Sequence, residues 1–307
     1  MSNVLKRAFG ALAMLLCVGY ATMAGAAASN DRIIVSGASG QLGGLVIKEL
    51  LARGVPAKNL ILVSHTPDKL ADYARQGASV RFGDVNKPES LADAYAGGTR
   101  MLMISIGLGE KTPRPQLHKR AFDAAVKAGV KHIVYTSFLG ADVSQSPLAV
   151  DHRASEANLK ASGAKWTMLR NGVYAEFTVL GAAQRMVSSG KVTVAANEMP
   201  SAPVTREDCA AAAAGALLNP AAEDQAYDIT GPALITTTDI ARVASEVTGR
   251  KIDVSIGQPG TDGGGLGMTV PTSEQIAQNI RNFKMLTGRE PTSLRQLLEA
   301  NKAQLLK

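Results

Sequence analysis

The chain has 307 residues, of which 46% are hydrophobic and 19% charged, a composition that is ordinary for a globular protein and argues against disorder. Its net charge of +7 comes from dispersed basic residues and only 4% of residues are aromatic, so the sequence does not predict a nucleic-acid-binding surface. Two cysteines and four scattered histidines, with no HExxH motif, exclude a disulfide scaffold and argue against a metal centre.

Residues 1–28 have the three parts of a signal peptide. The basic pair Lys6–Arg7 comes first, an apolar run follows, and a series of small residues ends at Ala28. We therefore expect export to the periplasm, with cleavage after Ala26 or Ala28. Two alternatives stay open: an uncleaved membrane anchor, for which the apolar run is short, and a cytoplasmic protein that starts at Met23.

From residue 32 to residue 170, short apolar runs alternate with segments of helical apolar spacing. The runs that predict strands occupy residues 32–36, 60–63, 79–82, 101–105, 132–137 and 166–170. Helices are predicted between them over residues 45–51, 67–76, 88–95, 116–128 and 151–162. Strands that alternate with helices indicate a parallel sheet covered on both faces, which is a doubly wound α/β fold of the Rossmann type.

The alternation becomes irregular after Asn171, where we expect a smaller α/β lobe over the carboxyl edge of the sheet. Helices are predicted over residues 207–218, 238–248, 273–286 and 293–307, with Thr205 or Asp208 near the cap of the first. Residues 257–267 are rich in glycine and predict a flexible loop. The expected division is a signal at 1–28, a Rossmann domain at 29–170 and a smaller substrate lobe at 171–307.

A glycine-rich turn joins the first predicted strand to the first predicted helix. It reads Gly37-Ala38-Ser39-Gly40-Gln41-Leu42-Gly43. Glycines permit close approach of a ligand, and a helix N-terminus offers unpaired N–H groups to a pyrophosphate. In this strand–turn–helix context the run favours dinucleotide binding over a turn that needs glycine for packing alone.

The end of the second predicted strand bears on the choice between NAD(H) and NADP(H). NAD-binding proteins of this type carry Asp or Glu there, whereas NADP-binding ones carry basic residues. This chain has His65 and Lys69 within reach of a 2′-phosphate, although Asp68 lies between them. We therefore expect NADP(H) rather than NAD(H).

Three motifs occur in a fixed order: Val35–Gly43, Tyr135–Ser137 followed by Ala141–Asp142, and Leu169–Tyr174. In that order they resemble the motifs of the NmrA-like atypical short-chain dehydrogenases, and most closely those of the type 2 NAD(P)H:quinone oxidoreductases. The resemblance covers residues 32–248. It implies reduction of a quinone or a similar small electrophile by hydride transfer from NADP(H), and it is compatible with a homodimer.

By position, the resemblance also implies roles for single residues. These are Asp84 near the adenine, Ser105 and Ser137 on the nicotinamide side, and Asn171 and Tyr174 at the border of the substrate pocket. One departure is His65, which stands where relatives often carry an arginine, and it weakens the inference of NADP preference.

The sequence lacks the Tyr-x-x-x-Lys pair with which ordinary short-chain dehydrogenases exchange a proton with a carbonyl. None of the six tyrosines is followed by lysine four residues on. At the corresponding place stand His152 and Glu156, at i and i+4 on one helix face. His152 could donate a proton to a reduced quinone oxygen. The alternative, slightly favoured here, is an exposed His–Glu pair without a catalytic role, in an enzyme that works mainly by positioning.

A second function class therefore stays open beside the reductase. It is a non-catalytic NAD(P)-binding redox sensor or partner-binding protein. The absence of the Tyr–Lys pair is equally compatible with this function. Sugar-nucleotide epimerisation on a related fold is disfavoured by the same absence. Cys209 is predicted to be a buried small residue rather than a reactive thiol.

Overall fold

The computed structural model describes residues 31–260 and 269–307. The predicted signal at 1–28 and most of the predicted loop at 257–267 therefore lie outside the described residues. None of the described helices is both long and apolar enough to cross a membrane.

A parallel sheet forms the centre of the protein. The strands of the described residues are β1 (Ile33–Ser36), β2 (Leu60–Ser64), β3 (Ser79–Phe82), β4 (Arg100–Met103), β5 (His132–Phe138), β6 (Lys165–Asn171), β7 (Lys191–Val194), β8 (Gln225–Ile229) and β9 (Asp253–Ile256). The main sheet has seven of them in the order β3-β2-β1-β4-β5-β6-β8, and β7 pairs with β9 in a separate two-stranded sheet.

The α-helices of the described residues are α1 (Gln41–Ala52), α2 (Ala71–Arg75), α3 (Leu91–Tyr95), α4 (Arg114–Lys127), α5 (Pro147–Lys160), α6 (Gly181–Ser189), α7 (Arg206–Leu218), α8 (Thr237–Thr248), α9 (Ser273–Thr287), α10 (Leu294–Ala300) and α11 (Lys302–Leu305). Helices α1, α7 and α9 cover one face of the main sheet, and α3, α4 and α5 cover the other.

The alternation of side chains along each strand divides the core into two layers. Ile33 and Val35 of β1 pack with α1, α7 and α9, whereas Ile34 packs with α3, α4 and α5. All three side chains are buried, and each contributes about 1.5–3 kcal/mol by leaving water. The predicted doubly wound fold is thus confirmed. Its strand order reverses between β1 and β4, where proteins of this architecture bind ligands beyond the carboxyl ends of the strands.

The Rossmann layer extends further along the chain than the predicted boundary at residue 170. Strand β8 pairs in parallel with β6, and α7 packs against α1 on the same face. Helix α7 consists largely of alanine and also approaches α9 closely. A Cβ at Gly215 would lie 2.0 Å from the carbonyl oxygen of Leu286, so only glycine fits there.

The smaller lobe is built from the remaining parts of residues 171–307. Its core joins α6, α8, α10 and α11, with Val187, Val243 and Leu298 among the buried side chains. Thr205 caps α7 by accepting a hydrogen bond from the amide of Asp208, as predicted. The predicted single helix over 293–307 is instead two helices that meet at Asn301.

Candidate functional site

The glycine turn lies between β1 and α1, at the carboxyl edge of the sheet. Gly37 has φ +85°, a conformation that residues with a side chain rarely adopt. A Cβ at Gly43 would lie 2.4 Å from the carbonyl oxygen of Gly37, so the turn needs glycine there for its own packing. At Gly40 a Cβ would meet only that same oxygen, at 3.3 Å, and would otherwise face open space.

The start of α1 suits an anionic ligand. The backbone amides of Gln41, Leu42 and Gly43 have no hydrogen-bond acceptor among the described residues, whereas the amides of Gly37 and Ala38 both donate to Val63 at 3.1 Å. No side chain caps this helix end. Free amides and the helix dipole together form the site that pyrophosphates take. The residues present therefore fit the dinucleotide that the sequence predicts.

The turn contacts the end of β2 through a cluster of hydroxyl groups. The Oγ of Ser39 lies 2.6 Å from the Oγ of Ser64 and 3.0 Å from the Oγ1 of Thr66. His65 and Lys69 follow in the same segment and are both exposed. The segment that carries them thus contacts the glycine turn through Ser64 and Thr66, and their role at the 2′-phosphate of NADP(H) stays a prediction.

Two further predicted residues also lie at the carboxyl edge. Asp84 follows β3 and is half-buried, and its carboxylate accepts a hydrogen bond from the amide of Asn86. Ser105 follows β4 and is also half-buried, and its amide donates to the Oγ1 of Thr136 at 2.8 Å. Their places match the expected adenine and nicotinamide sides, and their roles remain predictions.

His152 does not have the environment of a proton donor. Its Nε2 lies 3.1 Å from the guanidinium of Arg114, which can only donate, so Nε2 accepts and carries no proton. Its Nδ1 lies 2.9 Å from the hydroxyl of the buried Tyr135. Burial, with Arg114 and His118 nearby, lowers the pKa of His152 to about 3. The imidazole is therefore neutral near pH 7, and this environment argues against the predicted role of His152 as a proton donor.

The expected exposed His–Glu pair is also wrong, because His152 and Glu156 are both buried. Glu156 binds Arg170 through two bonds of 2.9 and 2.8 Å. It also accepts the hydroxyl proton of Ser137, at 2.7 Å. Because the hydroxyl of Ser137 already donates its one proton to Glu156, Ser137 cannot donate it to a substrate oxygen. The pair at i and i+4 turns inward because its partners come from β5, β6 and α4 rather than from its own helix.

A cavity of about 480 Å³ lies between the carboxyl ends of β5 and β6 and the smaller lobe. Its apolar lining includes Leu139 after β5, Val173 after β6 and Ile240 of α8. The polar lining residues are Thr178, Thr193, Asn197, Glu198, Ser201, Thr236, Thr237 and Thr269. This volume is in the range that small organic ligands occupy. Sequence reasoning did not find the cavity, because its walls come from distant segments.

Asn171 and Tyr174 are not among the residues that line this cavity, and their place at the border of the substrate pocket stays a prediction. The ring of Tyr174 stacks with Phe177, and the guanidinium of Arg206 lies 4.9 Å from the first ring and 4.4 Å from the second. The neighbour of Tyr174, Val173, lines the cavity. The Oδ1 of Asn171 is buried without a hydrogen-bond partner in the described part of the chain. Cys209 is buried, and burial raises its pKa, as expected for an inert thiol.

The sequence profile of the NAD(P)H-binding family matches residues 37–220, from the glycine turn to the end of α7. The chain belongs to this family. It is 36% identical over 221 residues to quinone oxidoreductase 2 of Escherichia coli, which covers 72% of this chain and 76% of that protein. It is 27% identical over 222 residues to the NAD(P)H azoreductase of Xenophilus azovorans, with 72% and 75% covered.

Solved structures of related reductases have the same fold. The NADPH complex of the E. coli quinone oxidoreductase aligns with a TM-score of 0.74 at 30% identity, covering 87% of this chain and 99% of that one. The NADP(H) complex of the Citrobacter sp. triphenylmethane reductase aligns with a TM-score of 0.71 at 32% identity, covering 89% and 99%. The resemblance to NmrA-like reductases is thereby confirmed.

Proposed function

We propose that this protein is an NADPH-dependent oxidoreductase that reduces quinones and similar flat electrophiles. The observation that carries the proposal is the arrangement of the two binding regions at one edge of the sheet. The pyrophosphate-binding turn starts α1, and the cavity of about 480 Å³ opens beside the ends of β5 and β6. The similarity to quinone oxidoreductase 2 of E. coli supports the choice of acceptor.

When bound, NADPH supplies a hydride, so that a quinone, NADPH and one proton give a hydroquinone and NADP⁺. In this chain, the free amides of Gln41–Gly43 hold the pyrophosphate, and His65 and Lys69 attract the 2′-phosphate. Within residues 31–260 and 269–307, no lysine, arginine, histidine, tyrosine or cysteine lines the cavity. The proton therefore comes from water, and the chain contributes by orienting the two reactants in an enclosed site.

Steady-state oxidation of NADPH by naphthoquinone tests this proposal. We expect consumption of NADPH that requires both the quinone and the protein, and a much lower rate in a variant with an obstructed glycine turn. Tight NADPH binding without turnover across quinones, azo dyes and triarylmethane dyes would contradict the proposal. That result would instead favour the redox-sensor alternative.

We also propose that residues 1–28 direct export and are then removed, on the evidence of their basic start, apolar run and small-residue end. Cell fractionation followed by N-terminal sequencing tests this. A periplasmic protein that begins at Ala27 or Ser29 would support it, and a cytoplasmic protein that begins at Met23 or Ala24 would contradict it. Sedimentation of the same material would test whether the protein forms the homodimer with which the resemblance is compatible.

A further inference from the structure

Glu198 is the one ionisable side chain among the described residues that line the 480 Å³ cavity. No cationic side chain lines the cavity beside it in the described part of the chain. Helix α8 also carries Asp239, which accepts a hydrogen bond from Thr236 and pairs with Arg242, and Arg242 pairs in addition with Glu246. Neither Asp239 nor Arg242 lines this cavity. Glu198 follows a turn in which its amide donates to the carbonyl of Ala195. It thus stands on the wall between β7 and the start of α8.

One oxygen of the Glu198 carboxylate is fixed and the other is available. The Oε1 accepts a hydrogen bond from the amide of Thr237 at 2.9 Å and another from the hydroxyl of the same residue. The Oε2 has no hydrogen bond and Glu198 has no ion pair within residues 31–260 and 269–307. The carboxylate is therefore oriented by the helix, and this residue of the cavity lining keeps one acceptor oxygen without a partner in the described part of the chain.

The charge of Glu198 is not neutralised by the surrounding lining. Thr237 is the first residue of α8, and the partial positive charge of a helix N-terminus amounts to about half an elementary charge. None of the described residues that line the cavity is a lysine, an arginine or a histidine. A net negative potential remains in a cavity with apolar walls, where charges are screened less than in water.

We propose that Glu198 is a specificity-determining residue that makes this cavity prefer flat electron acceptors carrying a positive charge. The inference rests on the proposed function, because the cavity has to be the acceptor site. A quaternary ammonium or a delocalised dye cation gains Coulomb energy from the carboxylate. A neutral quinone of the same shape does not gain it, and a sulfonated one is repelled. The residue acts on binding of the acceptor and takes no part in hydride transfer.

A set of three naphthoquinones with arms of one length tests the inference. One arm ends in a tert-butyl group, the second in trimethylammonium, which has the same shape, and the third in sulfonate. For the unmodified protein we expect kcat/KM to be about fivefold higher for the ammonium than for the tert-butyl compound, mainly through KM, and lower for the sulfonate. Raising the ionic strength should reduce these differences.

Glu198→Gln separates the charge from the structural role of the side chain, since its amide oxygen still accepts the bonds from Thr237. We expect the ratio of kcat/KM for the ammonium compound to kcat/KM for the tert-butyl compound to fall to about one. Glu207→Gln, which removes an exposed carboxylate that does not line the cavity, should leave the preference intact.

Equal kcat/KM for the ammonium and tert-butyl compounds in the unmodified protein would overturn the inference while leaving the proposed function standing. The same holds if Glu198→Gln keeps the full preference. Absence of NADPH oxidation with all three compounds and with naphthoquinone itself would contradict the proposed function, and the inference would fall with it.

Discussion

Substitution of Gly40 by valine should remove dinucleotide binding and leave the protein folded. Gly40 has φ −76° and ψ 168°, which any residue adopts, and a Cβ there would contact only the carbonyl oxygen of Gly37. We therefore expect the free energy of unfolding to change by less than about 1 kcal/mol. The added methyl groups would occupy the space in front of the free amides of α1, where the pyrophosphate binds.

The expected loss of affinity follows from those amides. A hydrogen bond to a charged group contributes about 1.5–3 kcal/mol, so displacing the phosphates from two of them costs at least about 3 kcal/mol. This corresponds to a Kd for NADPH that is raised by more than about a hundredfold. Calorimetric titration with NADPH measures the affinity, and urea unfolding of the same sample measures the stability.

Two other glycines of the same segment serve as controls. Gly44→Ala adds a Cβ that meets nothing within 4 Å, so NADPH should bind normally and the helix should gain up to about 1 kcal/mol. Gly43→Ala forces a contact of 2.4 Å with the carbonyl oxygen of Gly37 and should destabilise the fold itself. An unchanged Kd in Gly40→Val, measured on folded protein, would refute the placement of the pyrophosphate.

Three further results are expected. Lys69→Ala should weaken NADPH more than NADH, most strongly at low salt, and equal effects in paired titrations would show that Lys69 is only a surface residue. Burial lowers the pKa of His118 to about 3, from an ordinary value near 6.5. Between these two pH values the imidazole of the folded protein stays neutral, whereas that of the unfolded chain takes up a proton. The contribution of His118 to stability is therefore complete above pH 6.5 and falls by up to about 2 kcal/mol between pH 7 and pH 5. His118→Gln should reduce this slope in urea unfolding. Arg170→Met leaves the carboxylate of Glu156 buried without its partner and should lower the free energy of unfolding by about 3–5 kcal/mol. Lys119→Met removes a cation from an exposed pair and should lower it by less than about 1 kcal/mol. Similar losses of stability in thermal unfolding of the two variants would argue against the buried ion pair.

The fold was predictable because its signals are local. Apolar runs that end in turns and alternate with helical spacing identify parallel strands, and the glycine turn marks the first crossover. Strand β8 was missed because its sequence, Gln225–Ile229, is short and mixed, and because the Ala-rich α7 before it carries no amphipathic pattern. Its place in the sheet depends on pairing with β6, which only the folded chain provides.

The site was predictable only where one segment forms it. The glycine turn and the neighbouring His65 and Lys69 follow from contiguous sequence. The inward direction of His152 and Glu156 does not, because a spacing of four residues indicates a shared helix face without indicating whether that face is buried. Glu156 can be buried because Arg170, from another element, neutralises it. The cavity was not predictable either, because its walls come from five separate stretches of chain between Leu139 and Val270.

The most direct test of the account is a single-turnover measurement of NADPH absorbance after the protein–NADPH complex is mixed with naphthoquinone. We predict that one equivalent of bound NADPH is consumed per equivalent of quinone, and that NADPH deuterated on one face of the nicotinamide C4 reacts more slowly than NADPH deuterated on the other. Such a difference requires direct hydride transfer from a cofactor held in one orientation. Bound NADPH that stays reduced in the presence of excess quinone would contradict the account.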